Sequence, residues 1–225
     1  MTIKESLLIL CGGAEALPCI QVAKSMGLHT VVVDGNKDAP GCFVADEFIH
    51  ASIYHPSEVV LAIDSHIKNM SIKGLITVAA DNPVTVATVA KHLGLPSLSL
   101  HTAHLATHKL EMKKALLAAG ILTPWFIGIK SLEQLEEIIS ARPALYVLKP
   151  VDSRGSRGVI RLSKLQECQE AFAYSIQYSM ANELILEEWI EGQQLSSESI
   201  VSLGESHLCG LADRNYSRLS NLYPF

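Results

Sequence analysis

Hydrophobic residues in the first part of the chain form short unbroken runs that alternate with amphipathic segments. The runs Leu7–Cys11 and His29–Asp34 are rich in leucine, isoleucine and valine, which is typical of parallel strands buried on both faces. Between them, Ala14–Met26 carries apolar residues at helical spacing and is followed by Gly27, a residue that favours a helix end. These segments predict a β-α-β unit.

The same alternation continues up to residue 100. It predicts a helix over Pro56–Asn69, a strand over the segment GLITVAA (74–80) and a helix over Val84–Leu93 that glycine and proline would end. Strands and helices that alternate in this way favour a parallel, doubly wound α/β domain. We therefore expect residues 1–100 to form one such domain.

A different pattern follows His101. A helical stretch over 107–119 would end at Gly120, and the apolar runs after it predict the order β-α-β-β-α-β of a small α+β lobe. The last segment predicts a hairpin that turns at Gly204. The second half of the chain is therefore expected to form a separate lobe and the start of another.

Composition and charge narrow the class of protein. Of the 225 residues, 48% are apolar and 18% are charged, without a low-complexity tract, so a folded protein is expected. A net charge of −5 and a pI near 6.0 argue against general binding of nucleic acid or of an anionic membrane surface. The first residues show neither a secretory leader nor a membrane span, which predicts a cytoplasmic protein.

Cysteine and histidine spacing does not predict a metal site. The five cysteines are widely spaced, without a C-x-x-C pair, and are predicted to be buried free thiols. His101, His104 and His108 could share one face of a helix, but no carboxylate lies close in sequence. The helix is also expected to break between Ala106 and Thr107, so solvated or capping histidines are favoured.

Two glycines after the first strand leave more than one interpretation. Gly12 and Gly13 precede the first helix and Asp34 ends the second strand, as in a dinucleotide-binding fold. The spacing G-x-G-x-x-G is missing, and Glu15 would bring negative charge to a helix start meant for phosphate. A tight turn without a nucleotide is favoured, and a nicotinamide-dependent oxidoreductase is the alternative.

A second polar position follows the third predicted strand. Asp81 lies where open α/β sheets place ligands, beyond the carboxyl end of a strand. It could line a substrate pocket, or Asp81 or Asn82 could cap the helix that begins near Pro83. The sequence leaves both interpretations open.

A lysine and a basic glycine loop follow a later apolar strand. Lys149 ends the run ALYVLKP (144–150), and the segment SRGSRG (153–158), called the flap below, has no apolar residue. Its glycines let backbone amides approach an anion, Ser156 adds a hydroxyl donor and its arginines add positive charge. The pattern predicts a lid over a polyphosphate. It is not a Walker loop, because the lysine precedes the glycines.

Four segments in this order resemble the ATP-grasp superfamily, in particular its carboxylate-amine ligases, the carbamoyl phosphate synthase large subunit and biotin carboxylase. They are residues 7–36, 107–124, 146–159 and 184–192. The resemblance implies a Rossmann-like domain without a dinucleotide over 1–100 and a connecting helix over 101–122. It further implies the ATP-grasp lid lobe over 123–191 and the start of the C-terminal ATP-grasp lobe over 192–225.

The resemblance also implies roles in an ATP site. Lys109 and Lys149 would contact phosphates, with Lys149 on the α and β phosphates and Ser156 with its neighbours over β and γ. Glu187 would reach the adenine amino group, and the backbone of 188–190 would face the ring. The full set of implied residues is Lys109, Lys149, Ser153, Gly155, Ser156, Arg157, Gly158, Glu187, Glu188, Trp189, Ile190, Gln194 and Glu198.

This sequence departs from the family pattern after the hinge. The family commonly has a glutamate for the ribose hydroxyls, and the nearest position here is Gln194, with Glu198 further along the strand. The family's magnesium ligands and its arginine for the reacting carboxylate would lie beyond the end of this sequence. The chain is therefore expected to be C-terminally truncated and incomplete as a catalyst.

The function implied by the resemblance is ATP-dependent C–N bond formation. A small-molecule carboxylate would be activated as an acyl phosphate, which an amine or similar nucleophile then attacks. ATP and Mg²⁺ are the expected ligands, and association as a homodimer is a candidate. The alternatives are a non-catalytic ATP-binding or partner-docking module and a full-length enzyme that has been cut artificially.

Overall fold

The computed structural model describes residues 4–67 and 70–214, and the chain divides into two compact units, Met1–His108 and Lys109–Phe225. His108, whose backbone is extended, separates the last helix of the first unit from the first helix of the second. Among the described residues, no helix combines the length and apolar character needed to cross a membrane. The finer division of the chain at residues 100, 122 and 191 stays a prediction.

The first unit contains a four-stranded sheet whose three strand pairings are all parallel. Its order is β3-β2-β1-β4, with β1 (Lys4–Leu10), β2 (His29–Asp34), β3 (Glu47–His50) and β4 (Met70–Ile76). The helices are α1 (Leu17–Ser25), α2 (Pro40–Val44), α3 (Pro56–His66), α4 (Pro83–Leu93) and α5 (Leu100–Thr107). The predicted mixed α/β fold with a parallel sheet is confirmed.

Strands β1 and β2 supply the centre of this unit's core. Because helices cover both faces of a parallel sheet, adjacent residues of each strand are all buried. The fully buried residues of the two strands include Leu8, Ile9, Leu10, Val31, Val32 and Val33. Burial of each such side chain contributes about 1.5–3 kcal/mol. The long apolar runs therefore mark the strands correctly.

Short elements and one strand boundary differ from the prediction. Helix α2 has five residues and β3 has four, which is too short for a hydrophobic period to reveal. The strand predicted over 74–80 corresponds to β4, which ends earlier. Its last residue, Ile76, pairs with Ile9, and the hydroxyl of the following residue, Thr77, donates to the Leu10 carbonyl at 2.7 Å. Helix α3 ends at His66, and the predicted end at Asn69 lies outside the described residues.

The second unit begins with helix α6 (Lys109–Ala118) and contains an antiparallel sheet in the order β5-β8-β6-β7. Its strands are β5 (Phe126–Ile129), β6 (Tyr146–Pro150), β7 (Ile160–Leu162) and β8 (Leu184–Glu188), and its other helices are α7 (Leu132–Ala141) and α8 (Cys168–Ile176). The order along the chain is β-α-β-β-α-β, as predicted.

One face of this sheet packs against α7 and α8. Tyr146 and Leu148 of β6 and Leu186 of β8 are buried there together with Leu135 and Ala171 of the two helices. Helix α7 is capped by Ser131, whose hydroxyl oxygen accepts a hydrogen bond from the Gln134 N–H at 3.3 Å. The opposite face of the sheet is therefore available for polar residues and for α6.

Strands β9 (Leu195–Ser202) and β10 (Glu205–Asp213) form the predicted hairpin, with Leu203 and Gly204 at its turn. The register places Leu195, Val201, Leu208 and Leu211 on one face of the ribbon. All four are exposed, and the other face carries Glu198 and His207 together with Ile200, which is also exposed. Both faces of the hairpin therefore present apolar side chains to solvent.

Two predictions about cysteine and helix ends need correction. All five cysteines are free, but Cys209 is exposed and only Cys11 and Cys168 are fully buried, so the prediction of five buried thiols is wrong. The helix expected to break before Thr107 continues through that residue. The rings of His104 and His108 lie 5.3 Å apart, but within the described ranges no three His, Cys, Asp or Glu residues form a metal-binding group.

Candidate functional site in the second unit

A cavity of about 340 Å³ lies in the second unit, between the start of α6, the end of β6 and the flap. Its lining residues are Lys109, Val147, Lys149, Pro150, Ser153, Arg154, Gly155, Ser156, Arg157, Val159 and Trp189. The structure therefore brings the two predicted phosphate lysines, the flap and one hinge residue to a single cavity. The lining combines cationic side chains with an aromatic ring and apolar groups, which suits a ligand that is anionic at one end.

Strand alternation places Lys149 and Glu187 on the same face of the sheet. In β6, Tyr146 and Leu148 point into the core, so Val147 and Lys149 point the other way. Glu187 of β8 pairs directly with Val147 across the strands and therefore shares that face. The core residues thus fix the direction of both charged side chains.

Helix α6 covers this face because a glycine lets it approach the sheet. Leu110 of the helix packs with Val151 and Ile185, and its Cδ2 atom lies only 2.7 Å from the point that a Cβ on Gly128 would occupy. A larger residue at position 128 would push the helix away. The contact at Leu110 sets the height of the two lysines on the same helix, Lys109 and Lys113, above the strands.

Glu187 is the centre of a buried ion-pair cluster. Its Oε1 atom lies 2.7 Å from Lys149 Nζ, and its Oε2 atom lies 2.9 Å from Lys113 Nζ. The Glu187 side chain is only 6% exposed, so burial acts to raise its pKa, but the two ammonium groups outweigh burial and the pKa is lowered. Glu187 is therefore a carboxylate that two lysines share.

Lys109 is tied to the segment that leads into the flap. Its backbone N–H donates to the Val151 carbonyl at 2.8 Å, and its ammonium group donates to the Ser153 carbonyl. Burial lowers the pKa of Lys109, and the ammonium group of Lys149 lowers it further, while Asp152 and Glu187 act in the opposite direction. An anion bound in the cavity would stabilise the charged form of Lys109, because it would neutralise the positive charges that lie close together there.

The flap turns through two consecutive residues in the left-handed region, Gly155 at φ +63° and Ser156 at φ +56°. Two consecutive residues of this kind form a tight turn, across which the Arg157 N–H donates to the Arg154 carbonyl at 3.5 Å. Gly158 follows at φ +73°, and a Cβ there would lie 2.7 Å from Cγ of Pro150. Gly155 and Ser156 are exposed, whereas Gly158 is buried, so the flap is anchored at one end and open at its tip.

The hinge after β8 is held by backbone hydrogen bonds. The N–H of Glu188 donates to the Trp125 carbonyl and that of Trp189 donates to the Leu145 carbonyl, both at 2.9 Å. The Trp189 ring borders the cavity, and the Arg161 guanidinium lies 5.4 Å from its centroid. Trp189 therefore offers an aromatic surface to the cavity.

Several predicted residues are not among those that line the cavity. Glu188 pairs with Arg142 at 2.9 Å, and Ile190 is 63% exposed. The Gln194 carbonyl accepts a hydrogen bond from the Arg214 N–H, and Glu198 lies on β9 in the hairpin. Gly158 and Glu187 adjoin the cavity through the flap and through Lys149. The roles expected for these six residues stay predictions.

Lys113 is the residue that the sequence pattern misses. It lies one helical turn after Lys109, and its side chain is 12% exposed because it extends along the sheet, 6.0 Å from the Phe126 ring centroid, to reach Glu187. The spacing of four residues between two lysines on a helix was the available signal, since such residues share a face. The role of Lys113 became clear only from strand β8, which carries its partner Glu187.

The described residues near the cavity do not fit a Mg²⁺ site. Mg²⁺ requires octahedral oxygen ligation, in which carboxylates are the usual protein ligands. The Glu187 carboxylate is paired with two lysines, and Asp152 Oδ2 accepts a hydrogen bond from the Ala181 N–H at 2.8 Å, so Asp152 offers one buried oxygen, Oδ1, to a metal. Across residues 4–67 and 70–214, no cluster of three potential ligands occurs.

The glycine turn of the first unit is held by hydrogen bonds within that unit, and Gly13 and Asp34 line a cavity of about 400 Å³ beside it. The Gly12 N–H donates to Asp34 Oδ2 at 2.7 Å, and the Gly12 carbonyl accepts from the Gly41 N–H at 2.7 Å. Asp34 therefore uses a backbone donor that a dinucleotide phosphate would need. Asn82 precedes α4 but makes no side-chain cap; its amide nitrogen lies 3.5 Å from the Leu10 carbonyl oxygen. Asn82 thus occupies the N-cap position without a capping side-chain hydrogen bond, and the alternative that Asp81 caps the helix stays open.

A comparison with family models matches residues 106–218, just over half of the chain, to the ATP-grasp domain family. Among solved structures, N5-carboxyaminoimidazole synthetase from Staphylococcus aureus complexed with ADP superposes with a TM-score of 0.74 at 19% identity, over 96% of this chain and 56% of that one. The L-amino acid ligase from Bacillus licheniformis gives 0.74 at 20% identity, over 97% and 52%.

Phosphoribosylglycinamide synthetase from Anaerococcus prevotii gives a TM-score of 0.67 at 22% identity, over 93% of this chain and 51% of that one. At these identities the likeness establishes a shared fold. This chain spans about half the length of each of these structures.

Proposed function

The chain belongs to the ATP-grasp family, and we propose that the cavity of its second unit binds ATP. The observation that carries the proposal is the convergence of Lys109, Lys149 and the flap on one cavity that Trp189 also borders. The ammonium groups and the backbone N–H groups of the flap would hold the triphosphate. The Trp189 ring would pack against the adenine base, because a purine needs a dry aromatic surface.

The charge balance of the cavity supports this assignment. Three lysines and one buried glutamate leave a net positive cluster, and the pKa of Lys109 is lowered in that cluster by burial and by Lys149. A polyphosphate would remove the repulsion that disfavours the charged form of Lys109. ADP is bound in one of the structures that share this fold, which supports a nucleotide as the ligand.

We further propose that the protein containing this chain is an ATP-dependent carboxylate-amine ligase. Transfer of the γ-phosphoryl group to a carboxylate oxygen would give an acyl phosphate and ADP, and attack by an amine at the acyl carbon would release phosphate. The residues of this chain would position the triphosphate and stabilise the charge that develops on the transferred group. A small-molecule carboxylate as substrate and a homodimer belong to the same proposal.

Isothermal titration with ATP tests the binding step. We expect Lys149→Ala to weaken ATP binding roughly 10- to 100-fold, since a charge-assisted hydrogen bond contributes about 1.5–3 kcal/mol. Lys130→Ala is the matched control, because Lys130 is 77% exposed in the same unit. Equal ATP affinity of the two variants would remove Lys149 from the site.

A thermal-shift comparison separates ATP from the alternative nucleotide. Stabilisation by ATP and not by NAD is expected, because Asp34 already accepts the Gly12 N–H in the first unit. Stabilisation by NAD alone would overturn the proposal and favour an oxidoreductase. ATP binding without ATP turnover, in mixtures of candidate carboxylates and amines, would instead favour a non-catalytic ATP-binding module.

A further inference from the structure

The ammonium group of Lys149 has two potential partners, the Glu187 carboxylate and the phosphates of the proposed ATP. Its side chain lines the cavity, and its Nζ atom lies 2.7 Å from Glu187 Oε1. If Lys149 contacts the phosphates of ATP, as the proposed function requires, its ammonium group must turn away from Glu187 at least in part. Glu187 would then lose one of its two cationic partners while its side chain stays 6% exposed.

A buried carboxylate without a partner is costly, since it has lost its hydration and gains no compensating charge. The unfavourable free energy of the unpaired carboxylate would weaken ATP binding, because it would favour the pairing of Lys149 with Glu187. Lys113 offers a way to avoid this cost. Its Nζ atom lies 2.9 Å from the other oxygen of Glu187, and Lys113 is not among the described residues that line the cavity.

We infer that Lys113 is a positioning residue for ATP binding: it keeps Glu187 paired when the Lys149 ammonium group leaves that carboxylate for the phosphates. The inference rests on the proposed function and adds a residue that no phosphate contact would reveal. Lys113 reaches Glu187 from α6 and Lys149 reaches it from β6, so one partner can move while the other stays. Glu187 thereby pairs with Lys149 when ATP is absent and gives up this pair when ATP binds.

Two other roles for Lys113 would have different consequences. If Lys113 attracted the phosphates directly by its charge, its effect on ATP binding would not depend on Lys149. If it only held the hinge in place, it would affect adenosine and ATP alike. A double-mutant cycle with Lys149 and a comparison of the two ligands therefore separate these roles.

The experiment is a calorimetric titration of ATP and of adenosine into the full chain and its variants. We expect Lys113→Met to weaken ATP binding roughly tenfold and adenosine binding less than about twofold. Lys114→Met, an exposed lysine on the same helix, should match the wild-type chain, and Lys113→Arg should retain most of the affinity.

In a Lys149→Ala background, Lys113→Met should cause no further loss of ATP affinity. Full additivity in that background, an equal loss for adenosine, or an ATP affinity equal to that of Lys114→Met would each overturn the inference. These outcomes leave the proposed function intact as long as the wild-type chain binds ATP and Lys149→Ala binds it less well. If the wild-type chain binds no ATP, the proposed function fails and the inference fails with it.

Discussion

Glu187 and Glu188 are adjacent in the chain, but strand β8 turns their carboxylates to opposite faces of the sheet. Glu187 is 6% exposed and shared by two lysines, whereas Glu188 is 37% exposed and pairs with Arg142 at 2.9 Å. The two residues have the same chemistry and backbone context. They form a matched pair for measuring what burial does to an ion pair in this protein.

We expect Glu187→Gln to lower the free energy of unfolding of the second unit by about 3 kcal/mol, because it leaves two lysines without their shared counter-ion in a buried site. Glu188→Gln should cost less than about 1 kcal/mol, the usual value of an exposed pair. Both tryptophans, Trp125 and Trp189, belong to the second unit, so tryptophan fluorescence during urea unfolding reports on this unit. Equal losses for the two variants would contradict a buried ion-pair cluster at Glu187.

Asp46 should make the stability of the first unit depend on acid pH. Burial acts to raise its pKa, but hydrogen bonds from the Thr30 N–H and hydroxyl and the nearby ammonium group of Lys24 lower it from 3.8 to about 2. The stabilisation is therefore present above the unfolded-state pKa and is lost as the pH falls from about 4 toward 2.

We expect Asp46→Asn to reduce the stability of the first unit at neutral pH by about 1 kcal/mol and to flatten its acid dependence. Amide hydrogen exchange in β2 and β3 measures this locally. Asp64→Asn serves as the control, because Asp64 is half exposed in its pair with His92. An unchanged acid profile in Asp46→Asn would show that other carboxylates dominate.

Lys109 should make ATP binding sensitive to alkaline pH. Its pKa lies below the ordinary 10.5, because of burial first and then the charge of Lys149. As the pH rises toward that lowered pKa, Lys109 loses its proton earlier than an exposed lysine does, and ATP affinity should fall. Lys109→Arg keeps its charge throughout this range, so its affinity should be flatter from pH 7 to about 10. Parallel pH profiles of the two proteins would exclude Lys109 from the phosphate site.

The two flap glycines should differ in their tolerance of a methyl group. Both have positive φ, but a Cβ on Gly155 meets no atom within 4 Å, whereas one on Gly158 meets Pro150 at 2.7 Å. Gly155→Ala should therefore cost about 1 kcal/mol from backbone strain alone. Gly158→Ala should cost roughly 3 kcal/mol, since overpacking adds to the strain. Urea unfolding measures both, and a larger loss for Gly155→Ala would contradict the packing of the flap.

Local pattern was sufficient wherever a segment carries its own structural signal. Residues 7–10 of β1 and 31–33 of β2 are apolar at every position because both faces of the sheet are covered, and this property is visible without any partner. The alternation around Lys149 and the glycines of the flap are likewise local features. They predicted a cationic loop after an apolar strand, and the structure places that loop at a cavity. Its role as a polyphosphate site stays a proposal.

Tertiary structure decided what no segment carries by itself. Helix α2 and strand β3 are too short to show a period, and they exist because β2 offers them a neighbour. The pairing of Lys113 with Glu187 joins residues from a helix and a distant strand, and it depends on Gly128 admitting α6 to the sheet. Hydrophobic periodicity records which face of a segment is buried, but the partner of a buried charge depends on how segments pack in three dimensions.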